Sequence, residues 1–360
     1  MLDALAQPTI GHLDPAFGAV MEEVAELLRA TFRTQNRTAF PVSATGSGGM
    51  QTMVDNLVRP DDRVICGVHG LFGERMADAL GRRGAEVVRV EAEWGRALPT
   101  EQLLEAAREP FAALFVVHAE TSTGVAQPLD GLADACAEHG AIFLVDCVTS
   151  LAGHPLELDA SGVDAAFSGS QKCLNCPPGL APFTANERAL ERVQGSPSWY
   201  FDLHAVLNYW QADGGRAYHH TAPINMIYAL REALTIVQEE GLEARWARHA
   251  TAHEALRSAL ALFGFERIAP AGEQLHPLLA VRLPKGVDDA TVRGALLANH
   301  GIEVAAAGAG PFAGQAWRIG VMGEGARHGA QERLVRAIAS ELRVDATVAL
   351  DALADGWATA

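Results

Sequence analysis

Two ionisable side chains stand where apolar runs give way to small polar residues. Asp146 closes the run AIFLVD (141–146), and Lys172 lies in SGSQKCLNCPPG (168–179), just past DAAFSG (164–169). In an open parallel sheet, ligands gather in the crevice at the carboxyl ends of the strands, so both side chains are expected to face one crevice. An ammonium among apolar strand ends is penalised by desolvation. Its pKa falls, and the free amine can attack a carbonyl. A carboxylate in the same crevice can accept a hydrogen bond from a pyridinium nitrogen. The two groups together suit pyridoxal phosphate: the lysine forms the imine, and the carboxylate keeps the ring nitrogen protonated, so that the ring draws in electrons. From spacing alone, an ordinary Lys172–Asp146 ion pair is the competing reading.

The elements that must position this pair are legible as a rhythm. Between residues 15 and 200, short and nearly continuous apolar runs alternate with helical patterns, as expected of strands covered on both faces in an α/β fold. The predicted strands are RVICGV (63–68), EVVRVE (86–91), AALFVVH (112–118), AIFLVD (141–146), DAAFSG (164–169) and LAPFTA (180–185). GLFGERMADALGRRG and PLDGLADACAEHG read as crossover helices, each closed by glycine. After residue 224 a long helical stretch, bent or broken at Gly241, leads into LLAVRL, TVRGALLANHG, IEVAAA, WRIGVMG and AQERLVRAIASELR, a smaller α+β unit. The expected division is residues 1–240 and 241–360.

Composition narrows the class. With 44 acidic against 28 basic residues the formal charge is −16, which disfavours nucleic acid or an anionic membrane as partner. No run of eighteen apolar residues suggests a membrane span, and the first residues lack a signal-peptide pattern. The odd number of cysteines, 5, scattered through the chain, fits a reducing cytoplasm rather than a disulfide framework.

SGSQKCLNCPPG, preceded by FLVDCVTSLAG and HAETSTGV, resembles the fold-type I pyridoxal-phosphate aminotransferases of class V, in particular the alanine–glyoxylate and serine–glyoxylate aminotransferase family. The similarity runs in the family's order from PTIGHLDPAF to WRIGVMG. It implies a large cofactor-binding domain with a mostly parallel sheet and a smaller C-terminal α+β domain. It also implies Lys172 as the Schiff-base lysine, Asp146 as partner of the ring nitrogen, and Gln171 as a residue that helps hold the phosphate.

SATGSGGMQTMVDNLV joins a Gly-rich turn to a helix, and a helix N-terminus offers free N–H groups to an oxyanion. By its residues alone this could be a plain turn; the resemblance assigns Thr45, Gly46 and Ser47 to the phosphate. It places Phe72, which could also be core, on the cofactor ring, and Thr121 at the cofactor's edge. In AYHHTAP it implies that Tyr218 and Thr221 reach the phosphate of a second subunit, hence a homodimer with shared sites. Arg318 in WRIGVMG would be an ion-paired strand residue on its own; the resemblance makes it the fork for the substrate carboxylate. Neither His219–His220, adjacent and expected to point apart, nor CLNC has the further ligands a metal needs, so no metal is expected.

The expected activity is ping-pong transfer of an amino group from a small amino acid, alanine or serine, to glyoxylate or pyruvate. Two other readings follow from the same residues. YFDL, EAEWG and WRIGVMG also resemble the (S)-ureidoglycine–glyoxylate branch, although that branch carries serine–arginine at the Gly46-Ser47 position and asparagine at Tyr218. The family's usual N-terminal segment with a GPGP-like turn does not precede MLDAL, and a chain lacking it could bind cofactor without catalysis.

Overall fold

The computed structural model describes residues 1–211, 216–307 and 310–358. Its larger sheet contains β1 (Thr38–Val42), β2 (Arg63–Val68), β3 (Glu86–Glu91) and β4 (Ala113–Val117). A hairpin of β5 (Ala119–Glu120) and β6 (Val125–Ala126) then leads to β7 (Ile142–Asp146), β8 (Ala165–Phe167) and β9 (Ala181–Ala185). Seven strands run in the order β1-β9-β8-β7-β4-β2-β3. The pairings β2–β3, β2–β4, β4–β7 and β7–β8 are parallel. β9 is antiparallel to both β8 and β1.

Two antiparallel steps restore the direction. The carboxyl end of β1 therefore lies on the same side of the sheet as those of β2, β4, β7 and β8, and the turns that follow all five strands share one crevice. β1 is the strand that the apolar pattern does not announce. TAFPV contains a proline, which demotes a run to an edge strand, and β1 is an edge strand. Pro41 lies opposite Pro182 in register, so the two residues without N–H face each other.

The helices Pro15–Phe32 and Gly46–Leu57, with Leu71–Arg83, flank this sheet. The last of them ends on Gly84 in the left-handed region, φ 92°, where glycine meets no Cβ penalty. The helix Ile224–Glu240 stops at Gly241 (φ 80°), and Leu242–Ala261 starts immediately beyond it. A second sheet follows, β10 (Glu266–Arg267), β11 (Leu278–Arg282), β12 (Ala305–Ala306) and β13 (Ala316–Gly320), in the order β10-β11-β13-β12. The two sheets have separate apolar cores. One contains Phe17, Met21, Phe143 and Phe183; the other contains Leu256, Leu279, Trp317 and Ile338.

The β5–β6 hairpin fastens one sheet to the other. Its backbone bridges Val125 to Gln274, Leu275 donates to the Gly124 carbonyl at 2.9 Å, and Ala119 and Ala126 pack with Leu278 and Ala280. A Cβ on Gly124 would come within 3.0 Å of the Ala280 Cβ, and its φ of 77° also suits glycine. No helix among the described residues is long and apolar enough to cross a membrane.

Candidate active site

The crevice is assembled from the turn after each parallel strand. After β7, Asp146 is buried and accepts the backbone N–H of Val148 at 2.8 Å. Burial raises its carboxyl to about 7; the Val148 hydrogen bond opposes the rise, Glu120 adds to it, and Lys172 and Arg75 pull it back. After β8, Lys172 sits on a turn in which its carbonyl accepts from Asn175 at 2.9 Å. Burial lowers the Lys172 ammonium from its ordinary value. Arg318 adds to that effect, while Cys173 and Asp146 oppose it. The Cys173 thiol is itself pushed up to about 12 by burial and stays neutral, so the charges that matter for Lys172 are Arg318 and Asp146. Asp146 and Arg318 thus both act on Lys172 within one electrostatic neighbourhood.

Arg318 lies on β13 of the smaller sheet and donates from Nε to the Ala306 carbonyl at 3.0 Å. Its two terminal nitrogens make no hydrogen bond among the described residues, leaving the fork free for a carboxylate. Burial depresses its pKa, opposed by Glu120.

After β1, the helix Gly46–Leu57 begins at Thr45 with no side-chain cap. The Gly48 and Gly49 N–H groups return to the Thr45 carbonyl, and those of Gly46 and Ser47 make no bond among the described residues. A Cβ on Gly46 would lie 3.2 Å from Val148 Cγ2, so glycine permits the close approach of this turn to the Asp146 loop. An uncapped helix start beside a raised carboxyl and a depressed lysine fits the phosphate, ring nitrogen and aldehyde of pyridoxal phosphate. Thr45 and Ser47 are exposed toward solvent, and so is Gln171, whose side chain folds back over Gly169.

After β2, Phe72 opens the helix Leu71–Arg83, half-buried, with Arg75 over its ring at 5.1 Å. Glu120, in HAETSTGV but not singled out beside its neighbour Thr121, orders this turn. One oxygen accepts the N–H groups of Phe72 (3.0 Å) and Gly73 (3.3 Å); the other accepts the N–H (3.0 Å) and hydroxyl (2.6 Å) of Ser122. Glu120 therefore caps a helix that has no capping side chain of its own. A Cβ on Gly70 would strike Glu120 Cδ at 2.4 Å. The sequence signal was an acidic residue at the end of an apolar strand. Thr121 itself is buried in the same hairpin turn.

The AYHHTAP segment is attached differently. Tyr218 and Thr221 are exposed and touch each other at 3.4 Å, with no hydrogen bond to Lys172 or Thr45 among the described residues. The two imidazoles do not diverge as expected. His219 and His220 are joined Nδ1 to Nδ1 at 2.8 Å, with rings nearly perpendicular, and His220 Nε2 meets the Ser43 hydroxyl at 2.7 Å. The segment is thereby tied to the end of β1, two residues before Thr45. The CLNC thiols are free and buried, with Cys173 donating to the Thr149 carbonyl at 3.2 Å.

Comparison with known proteins places this geometry in context. Residues 3–315 match the family model described as Aminotransferase class-V. A solved alanine–glyoxylate aminotransferase from Nostoc sp. superimposes with a TM-score of 0.92 at 43% identity, covering 95% of this chain and 91% of that one. The ureidoglycine–glyoxylate aminotransferase of Bacillus subtilis superimposes with a TM-score of 0.95 at 35% identity, covering 99% and 94%. Alanine–glyoxylate aminotransferase of Callithrix jacchus is 35% identical over 321 residues, 87% of this chain and 77% of that protein.

Proposed function

The chain belongs to the class-V aminotransferases and is a pyridoxal-phosphate-dependent enzyme of fold type I, and from that premise we propose that it moves an amino group from alanine or serine to glyoxylate or pyruvate. The observation that carries the choice of substrate is the Arg318 fork beside Lys172, whose terminal nitrogens make no hydrogen bond among the described residues. One guanidinium grips one carboxylate with two parallel hydrogen bonds, which suits small monocarboxylates better than dicarboxylates.

In this reading each residue has a separate task. Pyridoxal phosphate supplies the electron-withdrawing ring. Lys172 would hold it covalently and, when free, would move the proton from the substrate's α-carbon; its depressed pKa keeps a basic amine available. Asp146 would partner the ring nitrogen, and a pyridinium there would hold ionised a carboxyl that burial otherwise raises. Phe72 covers the ring, Thr121 lines its edge, and Thr45, Gly46, Ser47 and Gln171 hold the phosphate. Tyr218 and Thr221, exposed and tied to the end of β1 through His220, are assigned to the phosphate of a second subunit in a homodimer. The five free, buried cysteines support a reducing cytoplasm. The separate cores and the break at Gly241 support a cofactor domain of residues 1–240 and a small domain of residues 241–360.

The similarity to the Bacillus subtilis enzyme supports (S)-ureidoglycine as the alternative donor. A donor–acceptor panel on purified protein separates the readings. Alanine or serine should bleach the yellow cofactor band and glyoxylate restore it, with ureidoglycine the poorer donor. A faster reaction with ureidoglycine selects the alternative, and a band unmoved by any amino donor makes the chain a non-catalytic binder. Lys172→Ala should abolish both the band and the borohydride-fixed label.

A further inference from the structure

The residues assigned to the phosphate are all neutral. Thr45, Gly46, Ser47, Gln171, Tyr218 and Thr221 bring N–H and O–H groups but no cation, and a phosphate monoester carries close to two negative charges at neutral pH. A helix N-terminus contributes the equivalent of about half a positive charge. One arginine stands beside that cradle with its charge uncommitted.

Arg75 lies one turn after Phe72 on the helix Leu71–Arg83. Its guanidinium stands over the Phe72 ring at 5.1 Å and donates toward the Ser47 hydroxyl at 3.5 Å. It also acts electrostatically on Asp146 across the crevice. Carboxylates are close in sequence, but they are engaged elsewhere: Glu74 pairs with Arg89, Asp78 with Arg82, and Asp55 accepts from Gln51. Among the described residues Arg75 makes no ion pair. An arginine on a strongly acidic chain that finds no carboxylate, while Arg82 on the same helix pairs with Asp78, is placed for an anion from outside.

Resting on the reading that Thr45, Gly46 and Ser47 hold the cofactor's phosphate, we propose that Arg75 is the cation of that site, pairing with the phosphate and holding it against the start of the helix Gly46–Leu57. The guanidinium spans from Phe72 to Ser47, so it ties the group that covers the ring to the group that binds the phosphate. It is a cofactor-binding residue that needs no second subunit.

Removing the charge should affect only ligands that carry phosphate. Apoprotein is titrated with pyridoxal phosphate and, separately, with phosphate-free pyridoxal, following the absorbance of each on wild type, Arg75→Gln and Arg75→Lys. Arg75→Gln should weaken pyridoxal phosphate by about 10- to 100-fold, the range of one charge-assisted hydrogen-bonded pair. Pyridoxal affinity should not change. Inorganic phosphate should compete with pyridoxal phosphate on wild type and less on Arg75→Gln, and Arg75→Lys should keep most of the affinity. Equal losses for both ligands would mean that Arg75 only braces Phe72, and an unchanged affinity for pyridoxal phosphate would remove it from the site; either outcome overturns the proposal. If wild type takes up neither ligand and gives no borohydride-fixed label on Lys172, the assignment of the site as a whole fails instead. Arg75 is exposed, so the variants are expected to fold, and matching far-UV circular dichroism checks this.

Discussion

Burial holds the Asp146 carboxyl near neutrality, up at about 7, and a cationic ring nitrogen would draw it back to the ionised form. Asp146→Asn keeps the shape and can still accept the Val148 N–H, but it has no charge to offer. Turnover should fall roughly 10- to 150-fold, the rate equivalent of one charged hydrogen bond of about 1.5–3 kcal/mol, while the cofactor stays bound. Single-turnover kinetics alongside cofactor content would show the split; normal turnover would exclude Asp146 from the chemistry. Asp146 and Lys172 could be singled out in the sequence because each stands where an apolar run breaks off, whereas Arg318 was singled out only through the resemblance of WRIGVMG to the family. Glu120 and Arg75 could not. Glu120 acts by capping a helix through the N–H groups of Phe72 and Gly73, 48 and 47 positions earlier, and Arg75 is one of many arginines on amphipathic helices until the ion pairs around it are known. The capping role of Glu120 and the role proposed for Arg75 come from packing between elements, which spacing along one chain does not encode.

The start of the helix Leu242–Ala261 links Lys172 to the strand that carries Arg318. Arg245, 4% exposed, donates to the Ala152 carbonyl at 3.0 Å and to the Cys173 carbonyl beside Lys172, and pairs with Glu240. Arg248 pairs with the same carboxylate and donates to the carbonyls of Gly323 (3.1 Å) and Ala326 (3.0 Å), just beyond β13. Burial would push Glu240 up, but the hydrogen bonds and charges of Arg248 and Arg245 outweigh it and hold the carboxyl at about 2. Arg245→Ala strands two carbonyls and half of an ion pair. It should destabilise the protein by about 3–5 kcal/mol in urea unfolding. Arg245→Lys should recover little, since an ammonium cannot serve three acceptors in a fixed fork; full recovery would mean that charge alone matters here. The element pattern itself was largely legible. The apolar runs at 63–68, 86–91, 112–118, 141–146 and 164–169 became the parallel strands β2, β3, β4, β7 and β8, and Gly241 ended a helix. β1 and the antiparallel sense of β9 were not, because Pro41 masks an edge strand and strand direction depends on partners distant in sequence.

Across the join between the two sheets the chain buries a run of imidazoles. His118 follows β4 and His154 follows β7, while His249 and His253 come from the helix Leu242–Ala261 and His276 precedes β11. Ring centroids are 5.6 Å apart for His118–His154, 4.4 Å for His154–His276 and 6.4 Å for His253–His276. Burial holds His118, His249 and His253 down at about 4, and lowers His154 and His276 as well. At His249 the hydrogen bonds also require a neutral ring. His249 donates from Nδ1 to the Arg245 carbonyl at 2.7 Å and accepts the Gly323 N–H on Nε2 at 3.3 Å, so a second ring proton would face an N–H. In the unfolded chain these imidazoles titrate near 6.5. Between about 6.5 and 4 the unfolded chain therefore binds more protons than the native one, and stability must fall as the pH drops through that window, by about 1.4 kcal/mol per pH unit for each fully shifted ring. The ion-paired Glu240, held at about 2, loses its contribution only below the ordinary carboxylate range, so the two losses separate along the pH axis. Unfolding free energies measured from pH 8 to pH 4 should decline as the pH falls below about 6.5, the several lowered imidazoles outweighing the raised carboxyl of Asp146, which takes up a proton in the native state near 7 and acts in the opposite sense. His253→Gln, which can still donate to the His276 carbonyl that His253 Nδ1 now meets at 3.2 Å, should reduce that slope by about one proton's worth. A slope that is unchanged in His253→Gln, or a wild-type curve level down to about pH 5, would mean that these rings titrate normally and that the join opens to water in solution.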